Sequence, residues 1–186
     1  MARVIFITES YIKSNTVVDD NVNATTLLSI AYDAQEQYIE PLLGTRLYNK
    51  LKTEVTADTL TGDYLTLMND YVVPTLIKWI EHDFIPENHY RLRNVGTTVK
   101  SGEFGQSASF SELKFRMDMA SKKAELKGLK MIDYLTCNTS SFPEYTINDK
   151  GGEIPAINSA ARTGWYLGNS KVNYGEKEKD LKRGDC

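Results

Sequence analysis

A chain of 186 residues, 41% hydrophobic and 25% charged, can bury one sizeable core and has the composition of an ordinary soluble globular domain. Its 22 basic and 25 acidic side chains leave a net charge of -3, which excludes a global field drawing it to nucleic acid or an anionic membrane. No apolar run is long enough for a membrane span or a signal peptide, and the only two cysteines, Cys137 and Cys186, suggest no disulfide scaffold, so a reducing intracellular compartment is expected.

The chain opens with a β-prone run, Val4-Ile5-Phe6-Ile7, after which Thr8, Glu9 and Ser10 can cap a short helical turn through Lys13. Residues 14–23 are polar and read as loop. A first long helix is predicted over residues 24–40. Leu27, Leu28, Ala31, Ala34, Tyr38 and Ile39 recur at close to the helical period, with Asn23 or Thr25 as cap.

Residues 38–51 then form an elbow that carries core side chains through a sharp turn. Pro41 suits the first turn of a short helix, Leu42 and Leu43 are apolar, Gly44 can stop the turn, and Thr45 can cap the next helix ahead of Leu47, Tyr48 and Leu51. That helix is predicted over residues 45–55.

A third helix is expected from Asp63 as N-cap, with Tyr64, Leu67, Met68, Tyr71, Val72, Leu76, Trp79 and Ile80 as its apolar stripe. Pro74 predicts a kink or break inside it, and Pro86 predicts its end. Residues 87–109 alternate β-prone residues with glycines and read as a β-hairpin or long loop. The longest helix is predicted over residues 111–135. Leu113, Met117, Ala120, Ala124, Gly128, Met131 and Leu135 share one face, and the small residues invite close approach by another helix. Beyond Cys137 the apolar residues are isolated. Residues 138–186 therefore read as an extended arm whose anchors, Phe142, Trp165 and Tyr166, pack against its own domain or a neighbour, ending in a charged tail. The fold class expected is mainly α: a bundle of about four helices over residues 1–137, with the inserted loop and the C-terminal arm.

Candidate chemistry is thin. His82 and His89 lie near Glu81, Asp83 and Glu87, but Pro86 is expected to separate them, so no metal site is predicted. Residues 148–153 (Asn-Asp-Lys-Gly-Gly-Glu) lack the alternating oxygen ligands of a calcium loop. Cys137 reads as a small apolar residue rather than a nucleophile. Arg183-Gly184-Asp185 and the sequons at Asn23 and Asn138 read as chance matches. No catalytic residue, cofactor site or metal site is predicted. The basic residues Lys122, Lys123, Lys127 and Lys130 are the best candidates for phosphate contact, diluted by Asp118, Glu125 and Asp133.

The order of features resembles a known family. Phe6 to Glu9 lead into a helix ending in Ala34-Gln35-Glu36-Gln37-Tyr38-Ile39-Glu40-Pro41-Leu42-Leu43-Gly44; Leu47, Tyr48 and Leu51 follow, then a proline-bearing helix, a β-like loop, another long helix and Phe142-Pro143-Glu144-Tyr145. This is similar to the head–tail connector (adaptor, neck ring) proteins of tailed bacteriophages, of the type found in crAss-like and other Bacteroidetes phages. The resemblance covers residues 4–145 and is most specific over 38–51. It implies a non-enzymatic virion protein, assembled in the host cytoplasm into a ring of twelve copies between the portal and other neck or tail rings. DNA would pass through without specific binding, and no membrane is involved. Phe104, Phe142, Tyr145, Trp165 and Tyr166 are the expected interface anchors, and Pro41, Leu42, Leu43, Gly44 and Tyr48 the structural elbow. The alternative is a nucleic-acid-binding helical module that uses the face from Lys122 to Lys130.

Overall fold

In a computed structural model the chain is mainly helical, and the structure describes residues 3–16, 18, 22–93, 96–99, 109–146 and 152–155. One compact unit spans Met1–Ala156; a second, Ile157–Cys186, lies outside the described residues. The domain boundary expected at residue 137 is therefore displaced. Residues 138–146 and 152–155 belong with the helical body, because they carry buried side chains, Phe142, Tyr145 and Pro155 among them.

The N-terminal run does not form a strand. It has no regular structure, bends at Phe6 and Ile7, which are both buried, and leads into α1 (Glu9–Asn15), capped by Thr8. Asn23 caps α2 (Ala24–Ala34) by accepting from the backbone N–H of Thr25 at 2.8 Å. The helix then widens into a π turn, Gln35–Ile39, and tightens again as α3 (Glu40–Leu43). Gly44 ends α3, and α4 (Thr45–Ala57) follows at once. After it, α5 (Gly62–Thr66), a second π turn (Leu67–Val72) and α6 (Val73–His89) form one continuous helical run. Asp63 lies in the first turn of α5 rather than at the cap, which is Thr61.

Both π turns end two residues before a proline. In the first, the N–H of Glu40 reaches back five residues to the Gln35 carbonyl, next to Pro41. In the second, the N–H of Val73 reaches the Met68 carbonyl, next to Pro74. A proline cannot donate a backbone bond, and its ring crowds the carbonyl four residues earlier. A widened turn relieves that crowding while its own backbone bonds stay made. This is why the run passes Pro74 without the break that was the alternative to a kink there. Pro86 does not end its helix either: it lies inside α6, where a proline near the C-terminal end removes one backbone bond and the run continues to His89.

The chain leaves α6 directly into an antiparallel hairpin, β1 (Tyr90–Arg93) with β2 (Gly96–Val99), in which Tyr90 pairs with Val99 and Arg93 with Gly96. The hairpin or long loop expected over residues 87–109 is thus a helix end, a hairpin and, at residues 94–95 and 100–108, segments outside the described residues. Ser109 then caps α7 (Phe110–Cys137) with a complete capping box: its hydroxyl accepts from the N–H of Glu112, whose carboxylate accepts from the N–H of Ser109 at 2.8 Å. The last element is α8 (Pro143–Thr146).

The core lies where α6 packs along α7 and α2, with the elbow closing one side. Ala120, Ala124 and Gly128 are buried on the inner face of α7, and a Cβ on Gly128 would meet Leu42 of the elbow at 3.3 Å. Leu27, Leu43, Leu47, Leu51, Leu67 and Leu76 have no exposed surface. Each contributes about 1.5–3 kcal/mol relative to an exposed side chain.

Gln35 is the buried polar hub that joins the N-terminal run to the elbow. Its side-chain oxygen accepts from the N–H of Phe6 at 2.8 Å, and its amide nitrogen donates to the Val4 carbonyl at 3.1 Å and the Tyr48 hydroxyl at 2.9 Å. Replacing Gln35 by Leu would strand these partners, so Gln35→Leu is expected to lower the unfolding free energy by about 2–4 kcal/mol, read from the urea midpoint at unchanged slope.

Candidate functional site

No group of three or more His, Cys, Asp or Glu side chains among the described residues is arranged to hold a metal. The continuity of α6 through Pro86 puts His82 and His89 two turns apart on one helix, against expectation, yet His82 is occupied by Asp83, with Nδ1 2.7 Å from the carboxylate. Asp83 also accepts from the Tyr38 hydroxyl at 3.2 Å, and Tyr38 stacks on Trp79 with ring centroids 3.9 Å apart. Burial, with Asp83's charge and hydrogen bond adding to it, pushes the Tyr38 hydroxyl up to about 12. This cluster ties the π turn after α2 to α6. Beside it lies a groove of about 440 Å³ lined by Thr26, Ser29, Ile30, Asp33, Asp83, Pro86 and Glu87.

Cys137 is exposed at the end of α7 rather than packed as a small apolar residue, and the described residues hold no free thiol. The two sequon asparagines serve helix ends. Asn23 caps α2, and the Asn138 side chain donates to the Tyr134 carbonyl at 2.8 Å. The Arg183-Gly184-Asp185 tripeptide lies outside the described residues.

The elbow is more elaborate than a core turn. Leu42, Leu43, Gly44 and Tyr48 are buried and Pro41 half-buried. Gly44 has φ +76° and ψ 152°, a conformation open in practice to glycine alone. Thr45 does not cap α4. Its N–H donates to the Glu153 carbonyl at 3.2 Å, its hydroxyl accepts from the Glu153 N–H at 2.9 Å, and the same hydroxyl donates to the Glu40 carboxylate at 3.1 Å. Residues 152–155 thus form a strap across the elbow. A Cβ on Gly152 would come within 3.1 Å of the Thr45 side chain, and one on Gly44 within 2.7 Å of the Pro155 ring. Glycine at both positions lets the two backbones touch. Of residues 148–153, read against a calcium loop, Gly152 and Glu153 belong to this strap and residues 148–151 lie outside the described residues.

Phe142 and Tyr145, expected as interface anchors, are instead buried in this domain's own core. Phe142 meets Tyr64 edge-on at 5.2 Å and Tyr134 at 5.8 Å, while Tyr134 stacks on Tyr71 at 4.2 Å. An apolar side chain that completes a core is not available to a neighbour. Phe104, Trp165 and Tyr166 lie outside the described residues.

A row of exposed apolar side chains lies elsewhere, on α7. Phe115 is 65% exposed, Met119 44%, Leu126 57% and Leu129 38%, on the side of the helix opposite its core-facing residues. Lys122 and Lys123 stand exposed among them. The sequence reading missed this stripe because the inner stripe already satisfied the helical period. The available signal was the second stripe's own spacing, four, three, four and three once Lys122 is counted in the line.

Two of these contacts set further expectations. The Gly44 geometry predicts that Gly44→Ala loses about 1–3 kcal/mol of stability, measured by urea denaturation, from backbone strain alone. Glu144 on α8 accepts from the Tyr64 hydroxyl at 2.7 Å and lies 3.5 Å from the Lys50 ammonium. Burial pushes its carboxyl up, but the Tyr64 hydrogen bond and Lys50 outweigh that and hold it below the usual carboxylate value. A depressed folded pKa means that the unfolded chain binds the proton first. The stabilisation is complete above the ordinary glutamate pKa and disappears as pH falls through the lower folded value. Urea midpoints measured from pH 6 down to pH 3 should therefore fall less steeply in Glu144→Gln than in the parent chain.

One comparison places this geometry in a family, and its limits coincide with the elbow and the strap. The family of unknown function DUF6712 matches residues 39–154, well over half of the chain. No curated protein and no solved structure matches it. The matched segment starts in the turn before Glu40 and ends in the strap that closes on Thr45; the chain belongs to the DUF6712 family.

Proposed function

We propose that this chain is a structural subunit of a virion, forming a neck ring that connects the portal of a tailed bacteriophage to its tail and lines the DNA conduit. The observation that carries the reading is the locked elbow, which lies in the stretch where the resemblance to connector proteins is most specific. Its angle is fixed by Gly44, by the two Thr45–Glu153 hydrogen bonds and by the buried Gln35–Tyr48 pair. In a cyclic ring every subunit repeats the same two contact faces, so an error in subunit shape accumulates around the circle. A body held rigid by interior bonds suits that demand. The net charge of -3 suits a conduit that DNA passes without being held.

The partners of this reading are further copies of the chain, the portal protein and the adjoining neck or tail rings. Purified protein mixed with its portal, followed by mass measurement and electron microscopy of the complex, is expected to show a ring of twelve copies. Protein that stays monomeric beside the portal, and is missing from purified virions, would overturn the proposal. Salt-sensitive binding to duplex DNA, lost on neutralising Lys122, Lys123 and Lys130, would replace it with the nucleic-acid-binding reading.

A further inference from the structure

The outer face of α7 has the pattern of a coiled-coil seam. Phe115, Met119, Lys122, Leu126 and Leu129 follow one another at spacings of four, three, four and three, and all five are exposed. That spacing keeps them in one line along the helix, on the side away from Leu113, Ala120, Ala124, Met131 and Leu135, which face the core. The helix is already formed and held by its inner face, so its ordering adds no cost to an association through the outer one.

The charges beside the seam say what can cover it. Along one flank, directly after Phe115, Lys122 and Leu129, stand Arg116, Lys123 and Lys130. Along the other, directly before Met119 and Leu126, stand Asp118 and Glu125. One flank is wholly basic and the other acidic. Among the described residues no ion pair within the domain engages Asp118, Lys123, Glu125 or Lys130.

In a parallel two-stranded pair, each flank of one helix meets the opposite flank of the other. A second copy of α7 laid parallel and in register would set Asp118 against Lys123 and Glu125 against Lys130, twice over. Laid antiparallel, each flank would meet itself, base on base and acid on acid. We propose that two copies of this chain pair through the outer faces of α7, parallel and in register. Lys122 then faces its own counterpart in mid-seam. A charge there weakens the pair, and it leaves the seam less sticky than an all-apolar one.

This contact goes beyond the ring reading and does not rest on it. It uses one face twice about a two-fold axis, whereas a cyclic ring uses two different faces.

Sedimentation of the full chain from low to several hundred micromolar tests the pairing. The expected mass rises from one chain to two. Leu126→Asp should raise the dissociation constant about tenfold or more, with unchanged helical circular dichroism because the side chain is exposed, and Lys122→Leu should lower it. Joint Arg116→Glu, Lys123→Glu and Lys130→Glu should weaken pairing, and adding Asp118→Lys and Glu125→Lys to that same chain should restore it. Antiparallel helices would not respond to these reversals, because each flank would still meet a like charge. A mass of one chain throughout, or charge reversals without effect, would overturn the proposal. A many-copy assembly that survives Leu126→Asp would also overturn it while leaving the ring reading standing.

Discussion

The domain depends on a contact between two backbones that are far apart in sequence. Thr45 exchanges hydrogen bonds with Glu153 through both its N–H and its hydroxyl, and Pro155 rests on Gly44 at a distance that no Cβ could share. Backbone polar groups in a buried turn must find partners, and a turn as abrupt as this one leaves α3 and α4 unable to satisfy each other. The strap supplies a partner from outside. Once Thr45 is held, Leu42 has a fixed position against α7, Tyr48 has a fixed position against Gln35, and Gln35 in turn holds the N-terminal run. The helices pack around that arrangement.

Proline handling gives the helices their length. A chain with Pro41, Pro74 and Pro86 in its helical stretches would ordinarily be cut into short pieces. Two widened turns and one tolerated position near a helix end keep the runs intact, so that α6 stays long enough to lie along α7. The aromatic contacts then fall between these runs: Tyr38 on Trp79 across one side, and Tyr71 on Tyr134 across the other.

Helix order, the elbow, the inner stripe of α7 and the hairpin after α6 were legible because each leaves a local periodic or punctuation signal. Gly44 announced a turn, and Leu113, Ala120, Ala124 and Met131 announced a face. The strap left no such signal. Gly152 and Pro155 look like loop residues, and only their contact with Gly44 and Thr45 gives them meaning. Phe142 and Tyr145 are ambiguous for the same reason: isolated aromatics in a polar segment can anchor to a neighbour or to their own domain, and only the packed core shows that it is their own. The π turns are equally hidden, since a proline states that a bond is missing but not how the preceding turn will adjust. On α7 two apolar stripes share one helix, and the inner one alone accounts for the helical period, which hides the outer one.

The strap also sets an order of events during synthesis. Thr45 leaves the ribosome 108 residues before its partner Glu153. At a translation rate of roughly 5–20 residues per second, the elbow waits about 5–20 seconds with its backbone groups open to water and Gly44 free to sample other conformations. Helices α4 to α7 can form in that interval from local contacts. The angle between α3 and α4 is set last, when the chain returns to the point where it first turned.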